Sequence, residues 1–428
     1  MLNTLRKGIT LLLVLMTLAL LQLQAQNNIS SPYSGYGVGL LDNVTSAPLA
    51  AMGHVSYAMQ HNTAFVNFRN PASYAAFDSL SFIADAAFSI ISSTLKTDEL
   101  SQKTTYARPG YLTIGLPVTK HWRTSAGILP FSKLGYAILD KQEVDNIGKV
   151  EYTYKGDGGL MQLYWGNAFK LCKGLSIGLN VSYIWGRLSS IRTIAFSGEN
   201  YANSLIDNYI HVDGIHLSAG AQYFVNIKEN HRLGLGAVYE NTAYIWAKEN
   251  SLVLNYEGEA TASTSYDTVA NIIGNKGNMR IPQSVGGGLS YSFKNKILVA
   301  ADVTWQNWSK YSLMGQKDSL QDAINVSVGV QYTPNPTSSK VYKRLNIRAG
   351  ARYSTGYIRI KETPISEFSV ALGLGIPLKT ATSQSSINIM MEYGQMGTLA
   401  NDLIKENFFR LTFNFVLHEK WYQRVKLE

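Results

Sequence analysis

Apolar and polar residues alternate with a period of two along many stretches of this chain. From Leu175 to Tyr183 every odd-numbered residue is apolar and every even-numbered residue is small or polar, and the pattern recurs over residues 215–223, 285–293 and 345–353. Successive side chains of a β-strand point to opposite faces of the sheet, so each stretch has one apolar face and one face of Ser, Gly, Asn or Arg. The pattern therefore predicts long β-strands.

The polar faces indicate how the sheet closes. The polar faces are too numerous, and their residues too small and too rich in glycine, to form the exterior of a soluble barrel. A soluble barrel fills its interior with bulky apolar side chains. A transmembrane barrel has the opposite arrangement, and lipid forces it to close because every backbone group there must be paired. We predict an all-β fold, a transmembrane antiparallel β-barrel of about fourteen strands; a soluble sandwich or propeller is the alternative.

About fourteen alternating segments can be counted, and an even number puts both chain ends on the same side of the membrane. The connections after the second, fourth, sixth and eighth segments are short, whereas those between the third and fourth and between the seventh and eighth segments are long and polar, with residues 248–279 the longest. Short turns are expected in the periplasm and long loops outside the cell. The segments lie near residues 80–95, 104–118, 121–138, 150–170, 175–197, 209–227, 231–247, 280–294, 296–311, 322–333, 344–358, 366–378, 385–396 and 406–418.

The N-terminal sequence predicts a signal for export, and the C-terminal sequence predicts a charged tail after the barrel. Arg6 and Lys7 precede an apolar run that is too short to span a bilayer, and Ala25 follows at a plausible cleavage point, so residues 1–25 are predicted to be a secretory signal peptide. Residues 26–78 lack sustained alternation, and the barrel is expected over residues 79–418. Its Phe-rich last segment resembles the signal by which outer-membrane barrels are recognised for insertion. Residues 419–428 form a charged tail, either periplasmic or disordered.

The amino-acid composition limits the kinds of partner that the chain is expected to bind. Cys172 is the only cysteine, so no intrachain disulfide can form. The chain has 26 tyrosines and 36 glycines, which suits a large sheet whose aromatic ends meet a membrane–water interface. Its net charge of +9 comes without a basic run, so nucleic acid is a poor partner and anionic lipid or an anionic ligand is a better one.

Three short stretches resemble the FadL/TodX family of outer-membrane barrels in their order and surroundings. They are Asn70-Pro71-Ala72, residues 281–288 (IPQSVGGG) and residues 301–309 (ADVTWQNWS). The resemblance implies that residues 26–78 form a hatch inside the lumen, which Asn70-Pro71-Ala72 ends shortly before the first strand. Residues 31–39 depart from the apolar opening common in the fatty-acid importers.

Arginines on one predicted strand offer a binding surface. Arg344, Arg348 and Arg352 share the non-lipid face of the eleventh segment, where alternate residues lie about 6.8 Å apart. Guanidinium groups hold carboxylates in bidentate fashion. The three arginines are therefore predicted either to bind an amphipathic anion or to tie down the hatch, through Asp42 or through backbone carbonyls.

Other residues are candidates for a gate and for membrane anchors. Pro117 and Pro130 lie near the ends of the second and third segments, where a lost ladder hydrogen bond favours a kink or gap, and Gly127 adds local freedom. Trp305 and Trp308 are predicted to anchor the barrel at the level of the lipid headgroups.

Catalysis has little support in the sequence. The seven histidines show no metal-ligand spacing and no Gly-x-Ser-x-Gly elbow is present, so we predict no enzyme, no metal and no cofactor.

The resemblance implies passive uptake of hydrophobic molecules, such as long-chain fatty acids, by a barrel in contact with outer-membrane lipids. The alternative is a non-transporting accessory barrel in a secretion or assembly complex with other outer-membrane proteins; a polar-solute porin is a third. A transporter should contain an apolar pocket open to the outside, and a scaffold should have a plugged lumen.

Overall fold

A computed structural model describes residues 31–60, 65–79, 81–198, 201–258, 264–379 and 384–420 of the chain. The predicted signal peptide, the start of the predicted hatch and residues 421–428 of the tail lie outside the described residues. Regular structure is almost entirely antiparallel sheet, and no described helix is long and apolar enough to cross a membrane.

The strands and helices have the following bounds. The strands are β1 (Leu40–Leu41), β2 (Ser81–Lys96), β3 (Ser101–Pro117), β4 (Trp122–Val144), β5 (Gly148–Cys172), β6 (Leu175–Phe196), β7 (Asn203–Lys228), β8 (His231–Glu240), β9 (Ala243–Tyr256), β10 (Tyr266–Ile281), β11 (Ser284–Phe293), β12 (Ile297–Gln306), β13 (Ser312–Leu313), β14 (Ala323–Tyr332), β15 (Asn346–Ser354), β16 (Arg359–Ile360), β17 (Thr363–Pro364), β18 (Glu367–Lys379), β19 (Gln384–Met396) and β20 (Lys405–Lys420). The helical turns are α1 (Ala47–Ala50) and five 3₁₀ helices, Pro32–Gly35, Pro71–Ala76, Trp308–Lys310, Val341–Lys343 and Ala400–Asp402.

The sheet closes into a barrel of fourteen spans, which confirms the predicted fold. Consecutive spans pair with each other, and β2 pairs with β20 from Ser81 opposite Lys420 to Lys96 opposite Lys405. Two spans consist of two strands each, β8 with β9 and β10 with β11, because the ladder is interrupted at residues 241–242 and 282–283. The remaining short strands lie outside the fourteen spans.

The faces of the wall follow the alternation in the sequence. On β6 the side chains of Ile177, Leu179 and Val181 are about 40% exposed on the outside, whereas Ser176 and Asn180 are buried on the inside. Apolar side chains cover the outer surface of the other spans in the same way. A continuous apolar exterior of this kind is stable only against hydrocarbon, so the chain is an outer-membrane β-barrel.

The predicted long loop over residues 248–279 is wrong. Those residues belong largely to β9 and β10, which pair from Tyr256 opposite Tyr266 to Ala243 opposite Ile281. The predicted long connection between the third and fourth segments is likewise a continuation of β4 and β5, which turn only at residues 145–147. Beyond the bilayer both faces of a strand are wetted, so the backbone still pairs while the alternation of apolar and polar residues disappears.

One seam of the barrel is incompletely paired. The strands β3 and β4 pair only from Leu112 opposite Ile128 to Pro117 opposite Arg123. Beyond Ile128, β4 pairs with β5 on its far side and with the two residues of β1 on its near side, at Ser132 and Lys133. Beyond Ile128, the N-terminal part of the chain therefore bridges β3 and β4 in place of a direct ladder between them.

Candidate functional site

Residues 31–60 and 65–79, called here the lumen segment, lie against the inner face of the barrel. Most of their side chains are buried, including Val38, Val55 and Tyr74, which are fully buried. They contact β2, β7, β12, β15 and β19, and thus most of the circumference of the wall. The interface between this segment and the wall is the candidate functional site.

Asn70-Pro71-Ala72 forms a fixed turn within this interface. The Asn70 side chain caps the 3₁₀ helix by accepting a hydrogen bond from the backbone N–H of Ala72 at 3.1 Å, and its Nδ2 donates to the Tyr57 carbonyl at 2.7 Å. The turn lies on wall glycines, since a Cβ on Gly220 would lie only 2.1 Å from Asn70 Oδ1. Proline begins the helix without loss because the first helical N–H has no partner within the helix.

The stretch ADVTWQNWS holds the lumen segment from β12. The buried Asp302 Oδ2 accepts backbone N–H groups from Ser56 at 2.5 Å and from Tyr57 at 2.9 Å. Two residues further on, Thr304 Oγ1 lies 2.8 Å from Tyr57 Oη. Asp302 and Thr304 were not among the predicted site residues. They occupy polar positions in the alternating pattern of β12, however, and the pattern placed those positions on the inner face.

The predicted anchoring role of Trp308 is wrong. Trp308 begins a 3₁₀ helix beyond β12, and its side chain is 3% exposed. Its ring packs against Tyr357 at a centroid distance of 5.1 Å inside the barrel. The alternation stops where the strand stops, so it does not determine where this indole points. Trp305, still within β12, follows the lipid-facing phase and is partly exposed.

The arginine ladder forms only in part. Arg344 lies in the connection before β15, outside the strand. Arg348 donates to Gln331 at 2.7 Å and to Asn388 at 3.0 Å, and Arg352 forms an ion pair with Glu367. The partners of Arg348 and Arg352 belong to neighbouring wall strands, so the predicted tie to Asp42 is wrong.

Asp42 instead pairs with Arg108, at the seam between β3 and β4. Both carboxylate oxygens of Asp42 accept from the guanidinium of Arg108, in the bidentate geometry that favours this pair. The Lys133 ammonium lies 3.3 Å from the centroid of the Tyr106 ring beside it. An ion pair between the lumen segment and β3 therefore spans the place where the direct ladder is missing.

The three gate candidates lie along the same seam. Pro117 ends β3 in its last pair with β4, and Gly127 stands opposite Thr113 within the paired part. Pro130 lies two residues after Ile128, where the pairing with β3 ends, and β4 also bulges against β5 between Pro130 and Ser132. A proline cannot donate a ladder hydrogen bond, so its position coincides with the physical break in the wall.

His54 belongs to a buried cluster of titratable side chains. Its Nε2 is 3.4 Å from Glu392 Oε1, and Nδ1 is 2.9 Å from Thr45 Oγ1, while Arg410 contacts the other Glu392 oxygen at 3.0 Å. Burial lowers the pKa of the His54 imidazole below its ordinary value of 6.5, an effect that Glu392 opposes without cancelling. Burial therefore favours the neutral form of His54 in the folded protein.

We expect acidification to weaken the folded state through His54. Between the lowered pKa and 6.5 the unfolded chain binds more protons than the folded one, so this contribution is complete above pH 6.5 and is lost as the pH falls. Urea unfolding at pH 7.5 and pH 5 should show a smaller loss of stability in His54→Gln than in the wild type. An equal loss in both proteins would contradict the assignment.

The largest of the spaces found between the lumen segment and the wall, among the described residues, are small. The cavity between the lumen segment and the wall near Arg69 and Glu240 measures about 80 Å³, and the other enclosed spaces there measure 40 Å³ or less. Its lining includes the ion pair of Arg69 with Glu240 at 3.8 Å. A larger pocket of about 530 Å³ lies between β4, β5 and β6, and no residue of the lumen segment lines it; its lining is mixed, with Ser132, Asp157, Gly158, Gly159, Leu160, Met161, Arg187 and Ser189.

The outer mouth is closed by apolar packing. Val38 of the lumen segment packs with Trp308, Tyr311 and inward-facing residues of several strands in one buried cluster. The loop after β15 reaches over the lumen segment, since Tyr357 Oη donates to the Gly39 carbonyl at 2.8 Å. The apolar volume of the barrel is thus filled by the chain itself. Among the described residues, no group of His, Cys, Asp and Glu is arranged to hold a metal ion.

Comparisons with known proteins agree with this architecture. The family model BamG matches residues 6–428. The fold is similar to that of the toluene transporter TodX from Pseudomonas putida (TM-score 0.60, 15% identity, 89% of this chain and 99% of that chain). It is also similar to the toluene transporter TbuX from Ralstonia pickettii (0.57, 13%, 89% and 99%) and to a FadL homologue from Pseudomonas aeruginosa (0.57, 12%, 90% and 100%). No curated protein matches the chain. The predicted resemblance to FadL/TodX barrels is confirmed, and at these identities it concerns the fold.

Proposed function

Given that the chain belongs to the BamG family, we propose that it is a non-transporting accessory barrel in an outer-membrane secretion or assembly complex. The observation that carries this proposal is the filled lumen. A ligand pocket usually needs about 300 Å³ or more of largely apolar space, and the cavities beside the lumen segment are several times smaller. In this function the barrel offers its outer surface and its loops to neighbouring proteins.

The contacts of the lumen segment suit a permanent plug. Asp302, Asn70 and Gln222 each satisfy buried backbone groups of the segment or of the wall. Each such bond contributes about 1 kcal/mol, and breaking one side of it leaves a buried polar group without a partner. Opening a path through the lumen would break many of these bonds together, which supports a static role.

The experiment that tests the proposal isolates the native protein. A tag inserted at residues 145–147, the exposed turn between β4 and β5, allows mild extraction from its own membranes. We expect other outer-membrane proteins to be recovered in constant proportion, with no hydrophobic molecule bound stoichiometrically. Liposomes containing the purified protein should take up toluene and oleate no faster than empty ones. A monomer that carries fatty acid or hydrocarbon and accelerates uptake would overturn the proposal.

The seam between β3 and β4 favours a second candidate, passive uptake of hydrophobic molecules with lateral release. The proteins of similar fold include toluene transporters. In this function Asp42 and Arg108 would act as a latch, and Pro117, Gly127 and Pro130 would form the gate. Arg348 and Arg352 would line the lumen wall beneath the lumen segment.

Substitution of Arg108 separates the two candidates. We expect Arg108→Ala to leave Asp42 without its partner, at a cost of about 1–2 kcal/mol for this partly buried pair, and to speed hydrogen exchange at residues 38–44 by about tenfold. Uptake of toluene into liposomes should stay at the level of empty liposomes. Lys103→Ala, an exposed change on the same strand, is the control. Faster uptake with Arg108→Ala alone would favour the channel.

A further inference from the structure

The end of the barrel that carries the short turns is strongly basic. Its five fully described connections follow β3, β5, β7, β11 and β14, and each has an exposed lysine in it or beside it. These are Lys120, Lys173, Lys228, Lys294 and Lys340. Two of the connections carry a second exposed lysine, Lys296 and Lys343. These seven residues are called here the lysine collar.

The collar has little counter-charge. In and beside the five connections the described residues include one acid, Glu229. None of the collar lysines forms an ion pair among the described residues, whereas acidic residues lie among the cations of the opposite end, such as Asp140, Glu143 and Asp145 beside the β4–β5 turn, and two of those cations form ion pairs, Lys141 with Glu151 and Lys361 with Asp402. The uncompensated positive charge of the barrel is therefore concentrated at the short-turn end, which faces the periplasm.

The depth of the collar follows from the aromatic residues beside it. The side chains of Phe169, Tyr223, Tyr291 and Tyr332 are 37–47% exposed on the outer wall, just before four of the five connections. Such aromatic rings lie at the level of the lipid headgroups. Lys294 is three residues beyond Tyr291, at most roughly 10 Å away at about 3.3 Å per residue, so its flexible side chain can bring the ammonium close to the headgroup level.

We propose that the lysine collar binds the headgroups of anionic phospholipids in the inner leaflet of the outer membrane. The lysines are distributed around the barrel from the β3–β4 turn to the β14–β15 connection, whereas one docked protein would need charge concentrated in a sector. A basic residue near an anionic surface contributes about 1 kcal/mol, so several together select anionic over zwitterionic lipid. The collar holds the barrel at a fixed depth and gathers anionic lipid around it.

The experiment compares two variants of equal charge. The collar variant carries Lys120→Gln, Lys173→Gln, Lys228→Gln, Lys294→Gln and Lys340→Gln. The control variant carries the same change at five exposed lysines of the opposite end, Lys103, Lys149, Lys276, Lys310 and Lys317. Each protein is placed in nanodiscs of phosphatidylethanolamine and phosphatidylglycerol, and the lipids retained on the protein are counted by native mass spectrometry.

We expect the wild type and the control variant to retain phosphatidylglycerol several-fold above its share of the bilayer, and the collar variant to retain it at that share. Raising the salt concentration should abolish the enrichment in the wild type, a measurement that needs no variant. Three outcomes would overturn the proposal: no enrichment in the wild type, enrichment that survives in the collar variant, or an acidic periplasmic protein that the collar variant loses while its lipid enrichment is unchanged.

Discussion

Gly350→Ala is expected to prevent the lumen segment from taking its place in the barrel. A Cβ at this position of β15 would lie 2.1 Å from the carbonyl carbon of Met52 and 2.2 Å from the nitrogen of Gly53. Both atoms are backbone, so no side-chain rotation can relieve the contact. A Cβ added to Gly329, directly opposite Gly350 on β14, would likewise lie 2.2 Å from the Met52 carbonyl oxygen, so the backbone at Met52 lies directly against both strands. We expect a loss of about 3 kcal/mol or more in the free energy of unfolding, at the upper end of overpacking effects.

The measurement is hydrogen exchange over residues 47–58 together with thermal unfolding in detergent. Gly287→Ala on β11 is the matched control, because only one distant backbone atom, the Gly236 oxygen at 3.9 Å, lies near its added Cβ. That variant should remain within about 0.5 kcal/mol of the wild type. If Gly350→Ala unfolds and exchanges like Gly287→Ala, the close contact between β15 and Met52 does not exist.

The sequence alone was sufficient for the wall of the barrel. The alternation of apolar and polar residues arises within each strand, whichever strands are its neighbours. The face of a strand that contacts lipid must carry apolar side chains, and the opposite face need not. This is why Ile177 and Leu179 could be assigned to the outside and the spans could be counted. It is also why the prediction failed at residues 248–279, where water on both sides removes the demand while the backbone continues to pair.

The interior could not be predicted to the same degree, because each contact there joins residues far apart in the chain. Asp42 was one of the partners predicted for the arginines of the eleventh segment if they tie down the hatch, but Arg108 is the cation that the fold brings to it. The alternation along a strand predicts the face on which a side chain lies, but it does not predict which residue that side chain contacts. The inward glycines were a signal that could have been used: Gly220 lies against the Asn70 side chain and Gly350 against the Met52 backbone, where the lumen segment touches the wall.

Asp302→Ala is expected to detach the middle of the lumen segment while the wall remains closed. The carboxylate faces the lumen from β12 and accepts the backbone N–H groups of Ser56 and Tyr57 on one oxygen. Alanine leaves both donors buried without a partner, at about 1–3 kcal/mol each. Amide exchange at Ser56 and Tyr57 should therefore accelerate by at least about tenfold, since 1.4 kcal/mol corresponds to a factor of ten.

Two further variants determine whether that effect belongs to this contact. Asp302→Asn keeps one acceptor oxygen, so its amides should exchange at a rate between those of the wild type and Asp302→Ala. Asp267→Ala removes an exposed carboxylate on β10 and should leave exchange at Ser56 unchanged. Slow exchange at Ser56 and Tyr57 in Asp302→Ala would mean that other contacts suffice to hold the segment. Fast exchange in Asp302→Ala, with heat-resistant migration of the folded barrel intact, would show that the inner segment and the outer wall depend on separate sets of interactions: buried polar pairs inside, and backbone ladders with apolar side chains in lipid outside.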